Sequence, residues 1–106
     1  MVKDILVAAG FVEGVTFKET RFLKAPRETY AVYMDSYDVW GSDDRNFIKD
    51  HEYTIELYSY KPDPGAERAI ETSLDLFAVP YQKEERYWIE EEQLYQIIYT
   101  FSHVEK

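Results

Sequence analysis

Apolar and polar residues alternate along residues 51–60, and this two-residue period predicts a β-strand. Tyr53, Ile55 and Leu57 fall on one side of the strand, whereas Thr54 and Glu56 fall on the other. The segment is also rich in β-branched and aromatic residues, which fit a pleated sheet well. We therefore expect the first side to face a hydrophobic core.

A helix is predicted to follow this strand almost at once. Asp63 can accept hydrogen bonds from the free amides of a first helical turn, and Pro64 suits the first helical position because no amide hydrogen is needed there. The apolar residues that follow recur at helical spacing and form one stripe: Ala66, Ala69, Ile70, Leu74 and Phe77. We expect this stripe to pack on the apolar side of the strand and the helix to end before Pro80.

The same patterns predict one more helix and three more strands. The helix covers residues 2–9, and the strands cover residues 29–37, 82–89 and 93–102. Gly10 is predicted to cap the first helix. The element order α-β-β-α-β-β predicts an α+β fold, in which helices pack on one face of a mainly antiparallel four-stranded sheet.

Three segments lie between these elements. Residues 11–17 suit either a loop or a short strand, and residues 18–28 are predicted to be a loop because they are polar and contain Pro26. Residues 38–50 form the longest irregular stretch and are predicted to be an extended hairpin loop. Long loops in compact domains tend to carry function or to be mobile.

Length and composition limit the classes of protein to which the chain can belong. Its 106 residues suit a single domain over residues 1–106, and 45% hydrophobic residues are too many for a disordered chain. The absence of cysteine excludes disulfides and thiolate metal sites. No secretory signal is recognisable, and no stretch approaches the roughly 20 apolar residues that span a bilayer. We expect a soluble protein that is made in the cytosol.

The formal net charge of −9 argues against binding to free nucleic acid, because a duplex binder needs a basic face that displaces counterions. Two interpretations of the acidic residues stay open. They form either a solvated surface that keeps the protein soluble or a surface along which DNA passes without adhering.

No group of residues in the sequence points to catalysis. His51 and His103 are the only histidines, and both are predicted to be surface or strand-end residues. Asp43 and Asp44 lack the spacing of a calcium loop and suit a turn instead. There is no glycine-rich phosphate loop, and no serine has a recognisable histidine and acid partner. We expect no enzymatic activity, no catalytic residue, no metal site and no cofactor.

Tyrosine is unusually common, with 10 residues that lie mostly in the predicted strands. A sheet that is covered by helices on one face has a second, open face, and six tyrosines are candidates for it: Tyr33, Tyr37, Tyr58, Tyr60, Tyr95 and Tyr99. Such a face either stays hydrated or buries against another subunit, because tyrosine is enriched at interfaces. Base stacking on RNA is a third, less favoured role, since acids surround these residues.

Several short segments, spread over nearly the whole chain, occur in the order typical of a known family. They are Tyr30-Ala31-Val32-Tyr33 after Pro26, the polar loop through Asp43, Tyr53-Thr54-Ile55-Glu56-Leu57-Tyr58, Asp63-Pro64, Val79-Pro80-Tyr81, Tyr87-Trp88-Ile89-Glu90 and Leu94-Tyr95-Gln96-Ile97-Ile98-Tyr99-Thr100-Phe101. In this order and spacing, the chain resembles the small tail-terminator or tail-completion (head–tail joining) proteins of long-tailed bacteriophages and prophages. It departs from them at Trp40 and at Asp43-Asp44-Arg45, where the families usually have a glycine- or asparagine-rich loop.

The resemblance implies a structural role in a virion, without chemistry. Members of these families form rings, commonly hexameric, at the head-proximal end of the tail tube or at the head–tail joint. The implied partners are copies of the same chain, tail tube proteins and head-connector proteins, and DNA passes through the lumen without specific binding. The implied location is the tail or neck of a virion whose proteins are made in the bacterial host cytoplasm, with no membrane involved.

A cyclic ring needs two different patches on each subunit, because one patch meets the other on its neighbour. We expect residues 38–50 to supply one patch and the aromatic residues of the sheet to supply part of the other. The candidate interface residues are Tyr37, Asp38, Trp40, Asp43, Asp44, Arg45, Phe47, Tyr58, Tyr60, Tyr95 and Tyr99. Two other classes stay open, namely a small monomeric or dimeric module that binds a ligand or peptide, and an enzyme whose site the sequence does not reveal.

Overall fold

Two helices and six strands make up the described part of the chain, which is residues 1–41 and 47–105 of a computed structural model; the side chains of residues 37–41, 47–49, 104 and 105 lie outside this description. The elements are α1 (Val2–Ala8), β1 (Phe17–Glu19), β2 (Tyr30–Gly41), β3 (Phe47–Ser59), α2 (Pro64–Leu76), β4 (Gln82–Lys83), β5 (Tyr87–Ile89) and β6 (Leu94–Glu105). The α+β class predicted from the sequence is confirmed.

The sheet has the strand order β1-β2-β3-β6-β4, and β5 also pairs with β6. Strand β1 runs parallel to β2, whereas all other pairs are antiparallel. The predicted four-stranded, mainly antiparallel sheet with the order α-β-β-α-β-β is therefore wrong, because the sheet is mixed and has six strands. The additional strand β1 begins at Phe17, in the segment that the sequence left open between loop and strand, and continues through Lys18 and Glu19, where the prediction of a loop over residues 18–28 is wrong.

The strand predicted over residues 82–89 is divided into β4 and β5. Lys83 pairs with Tyr99, whereas Tyr87 pairs with Gln96, so the chain gains one residue relative to β6 between the two strands. An extra residue of this kind changes which face the following side chains occupy. As a result, Lys83 and Arg86 both reach Glu67 on α2, although a regular strand would place them on opposite faces.

Strands β2 and β3 form a long hairpin whose register runs from Tyr30 opposite Tyr58 to Gly41 opposite Phe47. Strand β6 pairs with β3 from Tyr95 to Glu105 and extends the same ladder. Much of the predicted 38–50 loop is thus strand, at residues 38–41 and 47–50, and its residues 42–46 lie outside the described part. The three long strands account for the elongated shape, which measures 50 × 28 × 24 Å.

Both helices pack on one face of the sheet, here called the helix-covered face. Its buried residues include Ile5, Leu6, Phe17, Tyr33, Tyr53, Ile55, Leu57, Ile70, Leu74, Ile97, Tyr99 and Phe101. The predicted inward side of β3 is therefore confirmed. The predicted stripe of α2 is confirmed for Ile70 and Leu74, with Ala66 packed against them, but not for Phe77, which lies beyond the end of α2 and is 38% exposed. The Ser73 hydroxyl donates to the Ile5 carbonyl over 2.6 Å, which joins the two helices through an otherwise apolar layer.

The predicted ends of the helices are confirmed by their caps. Asp63 accepts a hydrogen bond from the Ala66 amide over 3.0 Å, and its second carboxylate oxygen accepts from the Thr29 hydroxyl over 2.7 Å. Gly10 follows α1 with a φ angle of +98°, a conformation that glycine adopts without strain. The Asp63 cap also fixes the start of α2 against the entry to β2.

Candidate functional site

The predicted interface residues fall at two distant ends of the sheet. Tyr58 and Tyr60 lie at the end where β3 leads into α2, whereas the strand residues 37–41 and Phe47 lie at the other end. At about 3.3 Å per residue, the eleven steps from Phe47 to Tyr58 correspond to roughly 36 Å. Within one subunit, therefore, Tyr58 and Tyr60 do not meet the interface candidates of the β2–β3 hairpin.

Four of the seven interface candidates between residues 37 and 47 lie in the described part of the chain. Tyr37, Asp38 and Trp40 are strand residues of β2, and Phe47 begins β3, where it pairs with Gly41. The remaining three candidates, Asp43, Asp44 and Arg45, lie outside the described residues. Their assignment to an interface stays a prediction.

Tyr33 and Tyr99 are not on the open face of the sheet, so this part of the prediction is wrong. Both flank Ile55 in one row of the helix-covered face, because Tyr33 pairs with Ile55 and Ile55 pairs with Tyr99. Tyr99 is fully buried, and its hydroxyl donates to Glu71 on α2 over 2.8 Å. Burial, followed by this hydrogen bond, raises the pKa of Tyr99 far above its ordinary value. Its contacts hold the subunit together, so we remove Tyr99 from the candidate interface.

Tyr95 is also on the helix-covered side, where it pairs with Ser59. Its ring lies 4.7 Å from that of Trp88 on β5, and Trp88 is about one-third exposed, with 36% of its surface accessible. Tyr87, the residue before it, is 64% exposed. Trp88 and Tyr95 therefore form an aromatic pair on the helix-covered side of the β5–β6 edge, whereas Tyr87 pairs with Gln96 and lies on the open face.

Tyr58 and Tyr60 contribute to a cleft on the open face, here called the tyrosine cleft. It has a volume of about 470 Å³ and is lined by Thr20, Arg21, Phe22, Ala25, Tyr30, Val32, Tyr58, Tyr60, Glu92 and Leu94. Tyr30 and Tyr58 stack at its base with ring centroids 5.2 Å apart, and Phe22 packs edge-on against Tyr30 at 5.5 Å. The sequence pointed to two of these tyrosines but not to the cleft, because the loop after β1 supplies one wall.

Hydrogen bonds fix most of the cleft. The Tyr60 hydroxyl donates to the Pro26 carbonyl over 2.7 Å, which ties the loop after β1 to the end of β3. The Tyr58 hydroxyl donates to Glu56 over 2.8 Å and accepts from the Gln96 amide over 2.9 Å. Burial, followed by the hydrogen bond to Glu56, raises the pKa of Tyr58 well above its ordinary value.

Tyr30 differs from these two tyrosines because its hydroxyl has no hydrogen-bond partner among the described residues. The residue itself is only 7% exposed. Every fully buried side-chain nitrogen or oxygen in the described part is hydrogen-bonded, so the unpartnered hydroxyl must reach solvent through the cleft that Tyr30 lines. Burial, with smaller contributions from Tyr60 and Glu92, raises the pKa of Tyr30 to about 12. The hydroxyl therefore stays protonated at neutral pH and can donate a hydrogen bond.

The two walls of the cleft differ in charge. One wall belongs to the basic loop, residues 21–27, in which Arg21, Lys24 and Arg27 are exposed and form no ion pair with a described residue. The other wall belongs to the acidic turn, residues 90–92, which consists of three exposed glutamates between β5 and β6. On a chain with a formal net charge of −9, the basic loop is a local exception.

A second cluster of charges lies between α2 and the β4–β5 edge and has a structural role. Glu67 accepts from Lys83 over 2.9 Å and from Arg86 over 2.7 Å, and Glu71 accepts from Lys83 over 2.7 Å. Burial raises the pKa of Glu67, but the hydrogen bonds from Arg86 and Lys83 outweigh it and leave the pKa below its ordinary value. These ion pairs attach α2 to an edge that has little apolar contact of its own.

His51 is buried rather than exposed at the surface as predicted, with 7% of its surface accessible. Its Nδ1 lies 2.8 Å from an Asp35 carboxylate oxygen, and its ring stacks on Tyr53 at 5.3 Å. His103 pairs with it across β3 and β6. These contacts join β2, β3 and β6 where the sheet extends beyond the helices.

Within residues 1–41 and 47–105, no three or more histidine, aspartate or glutamate side chains are grouped so that they could hold a metal ion. The helices of the same part of the chain are too short or too polar to cross a membrane.

Comparison with known proteins gives a similarity of fold. No family model matches the chain, and no curated protein sequence matches it. Its fold is similar to that of a chain in the solved structure of a virion of a native gene transfer agent (GTA) particle, with a TM-score of 0.55. The two chains are 14% identical, and the similarity covers 92% of this chain and 81% of the other. Nearly the whole of this chain thus has the fold of a virion-particle protein.

Proposed function

We propose that the protein is a structural component of a phage-like virion, and that it forms a tail-terminator or head–tail joining ring. The observation that carries this proposal is the fold similarity to a chain of a gene transfer agent virion, which extends over 92% of the present chain. The similarity supports association with other virion proteins. The more specific position, at the tail end or the neck, comes from the sequence resemblance to tail-terminator and tail-completion proteins.

The described surface suits assembly better than catalysis. The tyrosine cleft is open and is lined mainly by aromatic and apolar side chains, whereas the ion pairs of Glu67 attach one element to another. A structural, non-enzymatic role is consistent with both features. The DNA that passes through such a ring would meet a protein with a formal net charge of −9, which disfavours tight binding to phosphates.

The proposed ring, commonly hexameric in the families that the chain resembles, consists of copies of this chain joined by two different patches. The hairpin segment 37–47 supplies one patch, and the exposed Tyr60 with the half-buried Tyr58 and Tyr95 supplies part of another. The tail tube and head-connector proteins contact the two flat sides of the ring. In this arrangement the subunit has no cofactor and needs none.

The mass of the protein in solution tests the proposal. Analytical ultracentrifugation over a range of concentrations should show association into one closed species, and negative-stain electron microscopy should show rings. Deletion of residues 41–46 should leave a folded subunit, measured by circular dichroism, that no longer forms rings. Rings that survive this deletion would show that the hairpin is not an interface, and a wild-type protein that stays monomeric at all concentrations would contradict the ring itself.

One observation favours a second candidate function, a small module that binds a ligand or a peptide. The tyrosine cleft holds an unpartnered hydroxyl above an apolar base, which is the composition of many binding sites. A strictly monomeric protein whose cleft binds a small molecule would favour this function over the ring.

A further inference from the structure

We propose that the tyrosine cleft binds the basic loop, residues 21–27, of a second copy of this chain. This inference rests on the proposed ring and specifies which surfaces of neighbouring subunits meet. It assigns a role to the cleft, the basic loop and the acidic turn, three features that the sequence did not single out as an interface.

The basic loop presents an apolar side chain that has no contact surface in its own subunit. Leu23 lies near the middle of the loop and is 86% exposed, the highest value among the exposed large hydrophobic residues of the described part. It cannot fill the cleft of its own subunit, because the neighbouring Arg21 and Phe22 already form the wall of that cleft. The Leu23 side chain of a second copy, by contrast, can enter between Tyr30, Tyr58 and Tyr60, where aromatic rings would exclude water from it.

Charge complementarity identifies the occupant. Lys24 and Arg27 follow Leu23 and have no ion-pair partner among the described residues, and Glu91 and Glu92 on the acidic turn have none either. When Leu23 of one copy enters the cleft of the next, Lys24 and Arg27 approach the acidic wall of that cleft, opposite its basic wall. Opposite charges at the rim of an apolar contact increase the rate and specificity of association and make it sensitive to salt.

The contact joins two different surfaces of each subunit, the exposed Leu23 side of the basic loop and the tyrosine cleft. The two surfaces adjoin, because the basic loop forms one wall of the cleft and the acidic turn between β5 and β6 forms the other. In the proposed ring the contact runs in one direction, so that each pair keeps one free loop and one free cleft and further copies add until the ring closes.

The Tyr30 hydroxyl donates a hydrogen bond to the incoming loop in the proposed contact and so orients it. It is protonated at neutral pH, it reaches the cleft, and it has no acceptor among the described residues of its own subunit. A backbone carbonyl of the incoming loop is an acceptor that every residue of the loop provides. We therefore expect removal of this hydroxyl to weaken self-association while the fold is retained.

A pair of matched leucine substitutions tests the apolar part of the contact. Leu23→Ser should weaken self-association about ten- to a hundredfold per contact in sedimentation experiments, as expected when a leucine side chain is no longer buried. Leu76→Ser is the control, because Leu76 is 75% exposed on α2, away from the cleft. Equal effects of the two substitutions, or no effect of Leu23→Ser while rings persist, would overturn the assignment of the cleft without contradicting the ring.

Reversal of the charges tests the electrostatic part. The variant Lys24→Glu/Arg27→Glu and the variant Glu91→Lys/Glu92→Lys should each remain folded and fail to form rings alone, because every contact then joins like charges. An equimolar mixture should form rings in which the two variants alternate, whereas Arg68→Glu on the exposed side of α2 should assemble normally.

The outcomes of this mixing experiment separate the inference from the proposed function. If each variant assembles alone, or if the mixture fails although the wild type forms rings, the loop and cleft do not meet and only the inference is overturned. A wild type that is monomeric at every concentration overturns both the inference and the ring.

Discussion

Two tyrosines with opposite environments give the sharpest test of the fold, because Tyr→Phe removes only a hydroxyl. Tyr99 is fully buried and donates to Glu71, whereas the hydroxyl of Tyr30 reaches the cleft without a partner among the described residues. Tyr99→Phe should therefore destabilise the subunit, and Tyr30→Phe should leave its stability almost unchanged.

The magnitude follows from the surroundings of the Tyr99 hydroxyl. A hydrogen bond to a charged group contributes about 1.5–3 kcal/mol to stability. Glu71 keeps its ion pair with Lys83 at 2.7 Å and its side chain is 28% exposed, so the substitution does not leave a buried unpaired charge. We expect a loss of about 1.5–2 kcal/mol for Tyr99→Phe, at the lower end of that range, and a change within about 0.5 kcal/mol for Tyr30→Phe.

Urea unfolding followed by circular dichroism measures both changes, at a protein concentration below the onset of assembly. The midpoint of Tyr99→Phe should fall with an unchanged slope, which indicates a loss of stability rather than a change in the unfolded state. A subunit of this size loses about 4–8 °C in Tm for each kcal/mol. A neutral Tyr99→Phe together with a Tyr30→Phe that loses more than about 1 kcal/mol would refute the placement of the two hydroxyls.

The alkaline pH dependence gives a second readout for Tyr99. Its pKa in the folded state is raised above the ordinary value of 10, so the unfolded chain loses this proton first as the pH rises. The stability that Tyr99 contributes is fully present below pH 10 and decreases above it. Tyr99→Phe should reduce this alkaline loss, and other buried tyrosines account for the remainder.

Two further substitutions test the ion pairs and the core. The pKa of Glu67 is lowered in the folded state. Its contribution to stability is therefore present above pH 4.5, the ordinary pKa of a glutamate, and is lost as the pH falls below that value. Glu67→Gln should flatten the acid side of a stability–pH curve measured by thermal unfolding. Ile55→Ala should cost about 2–5 kcal/mol in urea unfolding, because Ile55 is fully buried in the centre of the sheet, whereas Leu76→Ala on the exposed side of α2 should stay within about 0.5 kcal/mol. Similar costs for these two apolar substitutions would contradict the position of the core.

The sequence alone determined the elements whose signals are local. The alternation in residues 51–60 identified the inward side of β3, and Asp63 with Pro64 identified the start of α2, because a strand period and a helix cap involve only neighbouring residues. The α+β class followed from these elements. The resemblance to tail-terminator proteins likewise came from segments in sequence order, and the fold of a virion-particle chain is consistent with it.

Tertiary structure decided the features that depend on residues far apart in the chain. Three residues form strand β1 by pairing with β2. Strands β4 and β5 are separate because one extra residue lies between them relative to β6, which lets Lys83 and Arg86 both contact Glu67 on α2. The register across three strands placed Tyr99 in the core and Tyr58 on the open face, although both are tyrosines in strands. The tyrosine cleft needs the loop after β1 to fold back beside β2 and β3. Local patterns carry no information on which distant segments meet, so the cleft became visible only in three dimensions.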